Sequence, residues 1–284
     1  MMKISVCGCG WLGLPLARSL VARGYEVYGT QRDPSRAAQL AEFGIRGVPL
    51  TLPLPSPQAE LAPALARLLA AEILVIAVPP GRQEGSDAAF VAKVKSLSQA
   101  AQAQGCRRVI FVSTTSVYGD VTGAVDEATQ PKPNTASGRA HAELEQWLRR
   151  QWQQQLVVLR LSGLIGPGRH PVKYLAGRSG IANGGDPVNL IHLDDCIAAI
   201  EAVIGRWPAQ PVLHLAAPTH PSRAAYYTQM AQLSGLPLPE FQTITPGGGK
   251  WIDARQTCAW LGLTLAHPDL LQLAPELSDG RHVN

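Results

Sequence analysis

The chain has 284 residues, of which 46% are hydrophobic, and a formal net charge of +4 from 25 basic and 21 acidic side chains. That is enough apolar material for one large α/β domain, alone or with a smaller appendage. The basic residues are scattered, at most paired as in Arg107-Arg108 and Arg149-Arg150, which argues against nucleic acid or membrane as a partner, and no apolar run reaches the ~18–20 residues of a membrane span.

The first predicted element decides how the rest is read. Ile4–Gly13, ISVCGCGWLG, places Gly8, Gly10 and Gly13 in a G-x-G-x-x-G spacing directly after a short apolar run. Leu12, Leu16, Ala17, Leu20 and Val21 then fall on one helical face, so the order is strand, tight turn, helix. In such a turn Gly8 bends the chain and Gly10 lets a pyrophosphate approach the backbone. Gly13 lets the helix lie close to the strand, and the free N–H groups around Trp11 and Leu12 face the anion.

Tyr25–Thr30 reads as the second strand, with Asp33-Pro34 as N-cap and first residue of a helix through Phe43. Ile45–Leu50 is a third strand, and the proline-rich Leu52–Pro63 a surface loop. Ile73–Val78 is an apolar run of the kind covered on both faces, stopped by Pro79-Pro80-Gly81. Ser86–Gly105 follows as a helix, Arg108–Val112 as a strand, Thr135–Arg150 as a helix and Gln155–Leu161 as a strand. Later come strands at Val188–Ile191 and Val212–Leu215 around an Asp194–Gly205 helix, then short helices and proline-rich loops. This alternation predicts an α/β fold with a doubly wound parallel sheet, whose ligands bind beyond the carboxyl ends of the strands. Val78 and Pro79 lie at one such end.

Two further patterns bear on chemistry. His192, Asp194 and Asp195 look like metal ligands, but one of the aspartates is the natural cap of the following helix, so no metal is expected. Gly247-Gly248-Gly249-Lys250 is not a phosphate loop, because no strand leads into it and no Ser or Thr follows the lysine. The five cysteines, Cys7, Cys9, Cys106, Cys196 and Cys258, follow no disulfide framework, which fits a reducing, cytoplasmic setting.

Five segments in this order are specific together: GCGWLG (Gly8–Gly13), VSTTSVYGD (Val112–Asp120), LRLSGLIGPGR (Leu159–Arg169), LIHLDDCIAAI (Leu190–Ile200) and VLHLAAPTHP (Val212–Pro221). Over nearly its whole length the chain resembles the extended short-chain dehydrogenase/reductase superfamily, within it the NAD-dependent epimerase/dehydratase family. The resemblance implies a Rossmann-type domain over residues 1–166, with 188–217 returning to it. Residues 167–187 and 218–284 would form a small C-terminal substrate domain. It also implies NAD(P) as cofactor and a nucleotide sugar or other carbonyl compound as small-molecule substrate, with an oligomer as one possible assembly.

Just past the second strand such sites place a carboxylate for the ribose 2′-hydroxyl of NAD(H). Here the residues are Gln31 and Arg32, and a forked cation suits a 2′-phosphate, so NADP(H) is favoured over NAD(H). The family pattern puts a hydroxyl after the fifth strand, at Thr114, and a Tyr-x-x-x-Lys pair on the next helix. Anchored on His141-Ala142-Glu143, that pair maps to Thr135 and Arg139, and no tyrosine in the chain has a lysine four residues later. A threonine hydroxyl is too weak an acid to replace a phenol, whereas Arg139 can still grip ribose or phosphate oxygens. Tyr118 is then a substrate-lining or catalytic side chain, and His141 an exposed helix residue or a proton donor. Ser162 and Leu164 line the nicotinamide, and Arg169 and His170 meet an anionic substrate. The rival reading is a catalytically silent dinucleotide-binding regulator or scaffold.

Overall fold

The structure, a computed structural model, describes residues 1–54, 61–81, 85–242 and 247–278, so half of the Leu52–Pro63 loop lies outside the described residues. The chain runs β1 (Lys3–Cys7), α1 (Gly13–Ala22), β2 (Glu26–Gln31), α2 (Pro34–Gln39), β3 (Arg46–Pro49), α3 (Pro63–Leu69) and β4 (Ile73–Ile76). It continues through α4 (Ser86–Ala103), β5 (Arg108–Thr114), β6 (Gly123–Val125), α5 (Ala136–Trp152), β7 (Leu156–Leu161), β8 (Gly163–Ile165) and α6 (Val172–Leu175). The last elements are β9 (Leu190–His192), α7 (Leu193–Gly205), β10 (Val212–Leu215), α8 (Arg223–Leu233), β11 (Lys250–Ile252) and α9 (Arg255–Leu261).

Two compact units share these elements. The first comprises Met1–Val117, Pro133–Arg160 and Ile200–Leu213. It holds nearly all of a seven-stranded parallel sheet in the order β10-β7-β5-β4-β1-β2-β3. The chain starts in the middle, at β1, with β2 on one side and β4 on the other, so the strand order reverses at the carboxyl end of β1. All four residues of β4 are buried, as an unbroken apolar run requires of a strand covered on both faces. On α1, Leu16, Ala17 and Leu20 are buried, and each leucine contributes about 1.5–3 kcal/mol through burial. On α5, Leu144, Leu148 and Trp152 face the core, and the Trp152 indole N–H donates to Ser98 Oγ at 2.8 Å.

The second unit comprises Tyr118–Lys132, Leu161–Ala199 and the chain from His214 onward. It is built on two parallel strand pairs, β8 with β9 and β6 with β11, and on a core that includes Ile165, Val172, Tyr226, Met230 and Leu270. The division differs from the expected one because β6 pairs with the distant β11, carrying 118–132 into this unit. In the same way β8 pairs with β9 and carries 161–166 with it. Three-residue strands such as β6, β8 and β11 are too short for an alternating pattern to announce them.

All five cysteines are unpaired; Cys258 is half-buried and the other four are buried. Among the described residues no helix is long and apolar enough to cross a membrane.

Candidate functional site

The carboxyl end of β1 turns at Gly8, whose φ of +103° belongs to glycine; a Cβ there would lie 2.7 Å from the Ala77 carbonyl oxygen. The turn is pinned to the end of β2: Gly8 N–H donates to Thr30 Oγ1 at 2.9 Å and Cys9 N–H to Thr30 O at 3.0 Å. The Gln31 side-chain amide donates to Cys9 O. At Gly13 a Cβ would sit 2.1 Å from Gly8 O, so the first residue of α1 rests directly on the turn. At Gly10, which is exposed, a Cβ would meet nothing within 4 Å. The mouth of the turn therefore opens there.

Helix α1 begins at this mouth with Leu12 as N-cap, no side-chain cap and no acidic residue in its first turn. Leu14 N–H donates to Gly10 O at 3.0 Å and Pro15 carries no N–H, so α1 offers an anion its Gly13 N–H and the positive end of its dipole. Trp11 is half-buried and Leu12 buried. Ala77 N–H donates to Cys7 O at 2.9 Å, which sets Val78 and Pro79 beside the glycine turn. An open mouth, backbone donors and no nearby capping carboxylate fit the diphosphate of a dinucleotide.

At the end of β2, Asp33 caps α2 by accepting from Arg36 N–H at 2.9 Å, as its place before Pro34 predicts. Its capping oxygen is thus directed at the backbone. Arg32 and Arg36 are both exposed.

At the end of β5, Thr114 Oγ1 donates to Ser116 Oγ and accepts from Ser116 N–H, both at 3.1 Å, closing the strand end. Helix α5 lies hard against this turn, since a Cβ on Gly138 would be 2.8 Å from Ser116 O. Thr135 stands outside the helix as its N-cap, accepting from Gly138 N–H at 3.0 Å, and Arg139 donates to Asn134 O at 3.0 Å; both are exposed. The inward pair one turn apart is Ser137, half-buried, and His141, buried against Phe90 and Phe111. His141 is therefore no exposed decoration. Its Nδ1–H donates to Ser137 O at 2.8 Å, and burial pushes its pKa below the usual imidazole range. One turn further, Glu145 accepts from Ser113 Oγ at 2.6 Å and from Arg160 Nε and Nη2, with Arg160 and Glu145 only 3% and 4% exposed. This buried pair went unnoticed in the sequence, although Arg160, the one charge in an otherwise apolar strand, was its signal.

The remaining predicted residues lie in the second unit. Ser162 and Leu164 follow β7, with Ser162 buried and its N–H on Leu215 O at 3.0 Å; Arg169 is exposed. Tyr118 has no exposed surface. Its hydroxyl pairs with His214 Nδ1 at 2.9 Å, while His214 Nε2–H donates to Asp253 O at 2.8 Å, which makes Nδ1 the acceptor and the phenol the donor. The phenolic proton is held inside the unit, so the structure removes Tyr118 from the substrate-facing residues. His170 is corrected too. Its Nδ1 accepts from Val172 N–H at 3.2 Å and its Nε2 bonds Tyr226 Oη at 2.8 Å, leaving neither nitrogen for an anion.

Burial pushes the His170 pKa from 6.5 down to about 4, so the folded protein keeps it neutral. An unfolded chain takes up that proton near 6.5, and the folded one refuses it until about 4. Its contribution to stability is complete above 6.5 and is lost as pH falls towards 4. The urea midpoint is expected to drop across this window, and His170→Gln to flatten that drop. An unchanged pH slope in the variant would refute it.

Residues 4–206 match the family described as NAD dependent epimerase/dehydratase. The chain belongs to this family. It is 40% identical to Protein YeeZ of Escherichia coli K12, over 97% of this chain and 100% of that protein. It is 28% identical to a 3-diazoavenalumate denitrifying reductase of a Streptomyces species, over 84% of this chain and 83% of that one. Among solved structures, the UDP-glucose-4-epimerase of Stenotrophomonas maltophila, with bound NAD and formylated UDP-arabinopyranose, superposes with a TM-score of 0.76 at 18% identity. That likeness covers 98% of this chain and 97% of the epimerase, and it shows the fold. Membership of a family described as NAD dependent is consistent with a dinucleotide at the glycine turn. It does not fix a reaction, because one fold serves many chemistries.

Proposed function

We infer that the chain binds NADP(H) in preference to NAD(H) and exchanges hydride with a small carbonyl or alcohol compound. Nucleotide sugars are the first class to test. The observation that carries this reading is the turn at Gly8–Gly13, closed by contacts at Gly8 and Gly13 but open at Gly10. Backbone donors at Leu12 and Gly13 would hold the diphosphate, with Gly10 leaving room for it and Trp11, Val78 and Pro79 as walls. Arg32 offers a forked cation to a 2′-phosphate, and Asp33, used as a helix cap, does not compete as a ribose acceptor. When bound, the nicotinamide supplies hydride donation and acceptance at C4.

The chain's own residues supply the rest. Thr114 orients the substrate oxygen. On α5 the exposed Arg139 is assigned to the ribose or phosphate oxygens of the cofactor. Ser162 and Leu164 are assigned to the nicotinamide side and Arg169 to an anionic substrate group. The reductase relative and the nucleotide-sugar ligand of the fold neighbour support hydride chemistry on such compounds.

Titration with NADPH and NADH, read by tryptophan fluorescence, tests cofactor choice. Arg32→Ala is expected to weaken NADPH about tenfold or more, with little change for NADH. Equal losses would end the preference. Loss of NADPH absorbance with a panel of carbonyl compounds and UDP-sugars tests turnover. A binding-only regulator is the second reading, favoured by the capping role of Thr135 and the burial of Tyr118. Tight binding without turnover across the panel would select it.

A further inference from the structure

We propose that His192, Asp194 and His267 form a divalent-metal site, with Zn2+ the best-matched ion, entirely within the second unit. The sequence reading assigned an aspartate of this segment to helix capping, and the structure gives both a different use. Asp195 is buried and accepts from the backbone N–H groups of Ala266 and His267 at 2.6 and 3.2 Å, which clamps that loop beside the start of α7. The clamp delivers the His267 ring to within 3.9 Å of the His192 ring, centroid to centroid. Asp194, 62% exposed, stands next to both: its Oδ2 is 3.4 Å from His192 Nδ1 and 3.2 Å from His267 Nε2.

Those separations match a coordination shell. Two donors held at the usual ~2.0–2.1 Å from a tetrahedral Zn2+ are about 3.3 Å apart. The three donor atoms all lie within 4.8 Å of one another, so a small rotation of the side chains brings all three onto one ion. Two imidazoles and a carboxylate suit Zn2+ better than a hard oxygen-seeking cation, and the fourth position would take water from the exposed side.

The buried ring of His192 supplies an independent sign. Its Nδ1 accepts from Asp194 N–H at 3.2 Å, so its proton sits on Nε2. That Nε2 is buried without a hydrogen-bond partner, and the crevice beside it, lined by Ile165, His170, Leu273 and Glu276, has no room for a water. Glu276 Oε1 waits 3.6 Å away, just beyond bonding distance. A metal-ligating histidine commonly donates its other N–H to a carboxylate, and this ring has that partner at its back. A cation on Nδ1 would replace the weak Asp194 N–H bond and draw the Nε2–H onto Glu276. Binding would tie β9 and the start of α7 to the 266–276 segment, far along the chain.

Metal-stripped, untagged full-length protein is titrated with Zn2+ by calorimetry and with Co2+ by visible absorption. One equivalent per chain, a four-coordinate cobalt spectrum and a higher melting temperature with Zn2+ are expected. Asp194→Asn and His267→Ala should each weaken binding about tenfold or more, and Glu276→Gln to a smaller extent. Circular dichroism of these surface variants checks that they remain folded. Binding that does not saturate at one equivalent, or that survives unchanged in both variants, means an adventitious ion only and overturns the proposal.

Discussion

Glu145→Ala is expected to destabilise the protein by about 3–5 kcal/mol, because it strands the Arg160 guanidinium in the core without its partner. The cost arises from the remaining charge, which is 3% exposed on a strand whose residues are all buried. Ser113 Oγ also loses its acceptor. The double change Glu145→Leu with Arg160→Met removes both charges together and is expected to recover most of the loss. Urea unfolding of the three proteins checks this. A single variant less than about 1 kcal/mol from the parent would show that the pair does not behave as a buried ion pair.

Gly10→Val and Gly13→Ala are expected to fail in opposite ways. At Gly10 the added side chain meets no protein atom, so the melting temperature should hold while the open mouth is filled. Steric overlap of about 1–3 kcal/mol with a bound diphosphate corresponds to a loss of roughly ten- to a hundredfold in dinucleotide affinity. At Gly13 even one methyl group lies 2.1 Å from Gly8 O, so α1 must leave the turn, and stability and binding should fall together. Fluorescence titration beside thermal melts separates the two. If Gly10→Val bound both dinucleotides as the parent does, the assignment of this turn would be wrong.

The glycine turn was legible in the sequence because its constraints are local: three positions within six residues determine where a Cβ can exist. The sheet followed from the same kind of information, an apolar run at Ile73–Ile76 and a helix capped by Asp33. What failed was anything settled by distant partners. The roles of Tyr118 and His170 depend on His214 and Tyr226, which no spacing rule connects to them. On α5 the sequence did not show that His141 is buried. Ser137 and His141 face inward and Thr135 and Arg139 outward, and only the close approach of Gly138 to Ser116 fixes that choice. The neighbourhood of His192 was only partly legible because His267 comes from another part of the chain, delivered by backbone bonds to Asp195.

The sequestered sulfurs set the terms on which this protein can be handled. Burial raises the thiols at Cys9 and Cys106 to about 11 and lifts Cys7 and Cys196 further, so at neutral pH none offers the thiolate that alkylating dyes attack. Cys258 on α9 is also raised by burial, but it is only half-buried and is the most accessible of the five thiols. A fluorophore can therefore be attached there with the native sequence intact, giving a reporter in the second unit that leaves the sulfurs of the opening turn untouched.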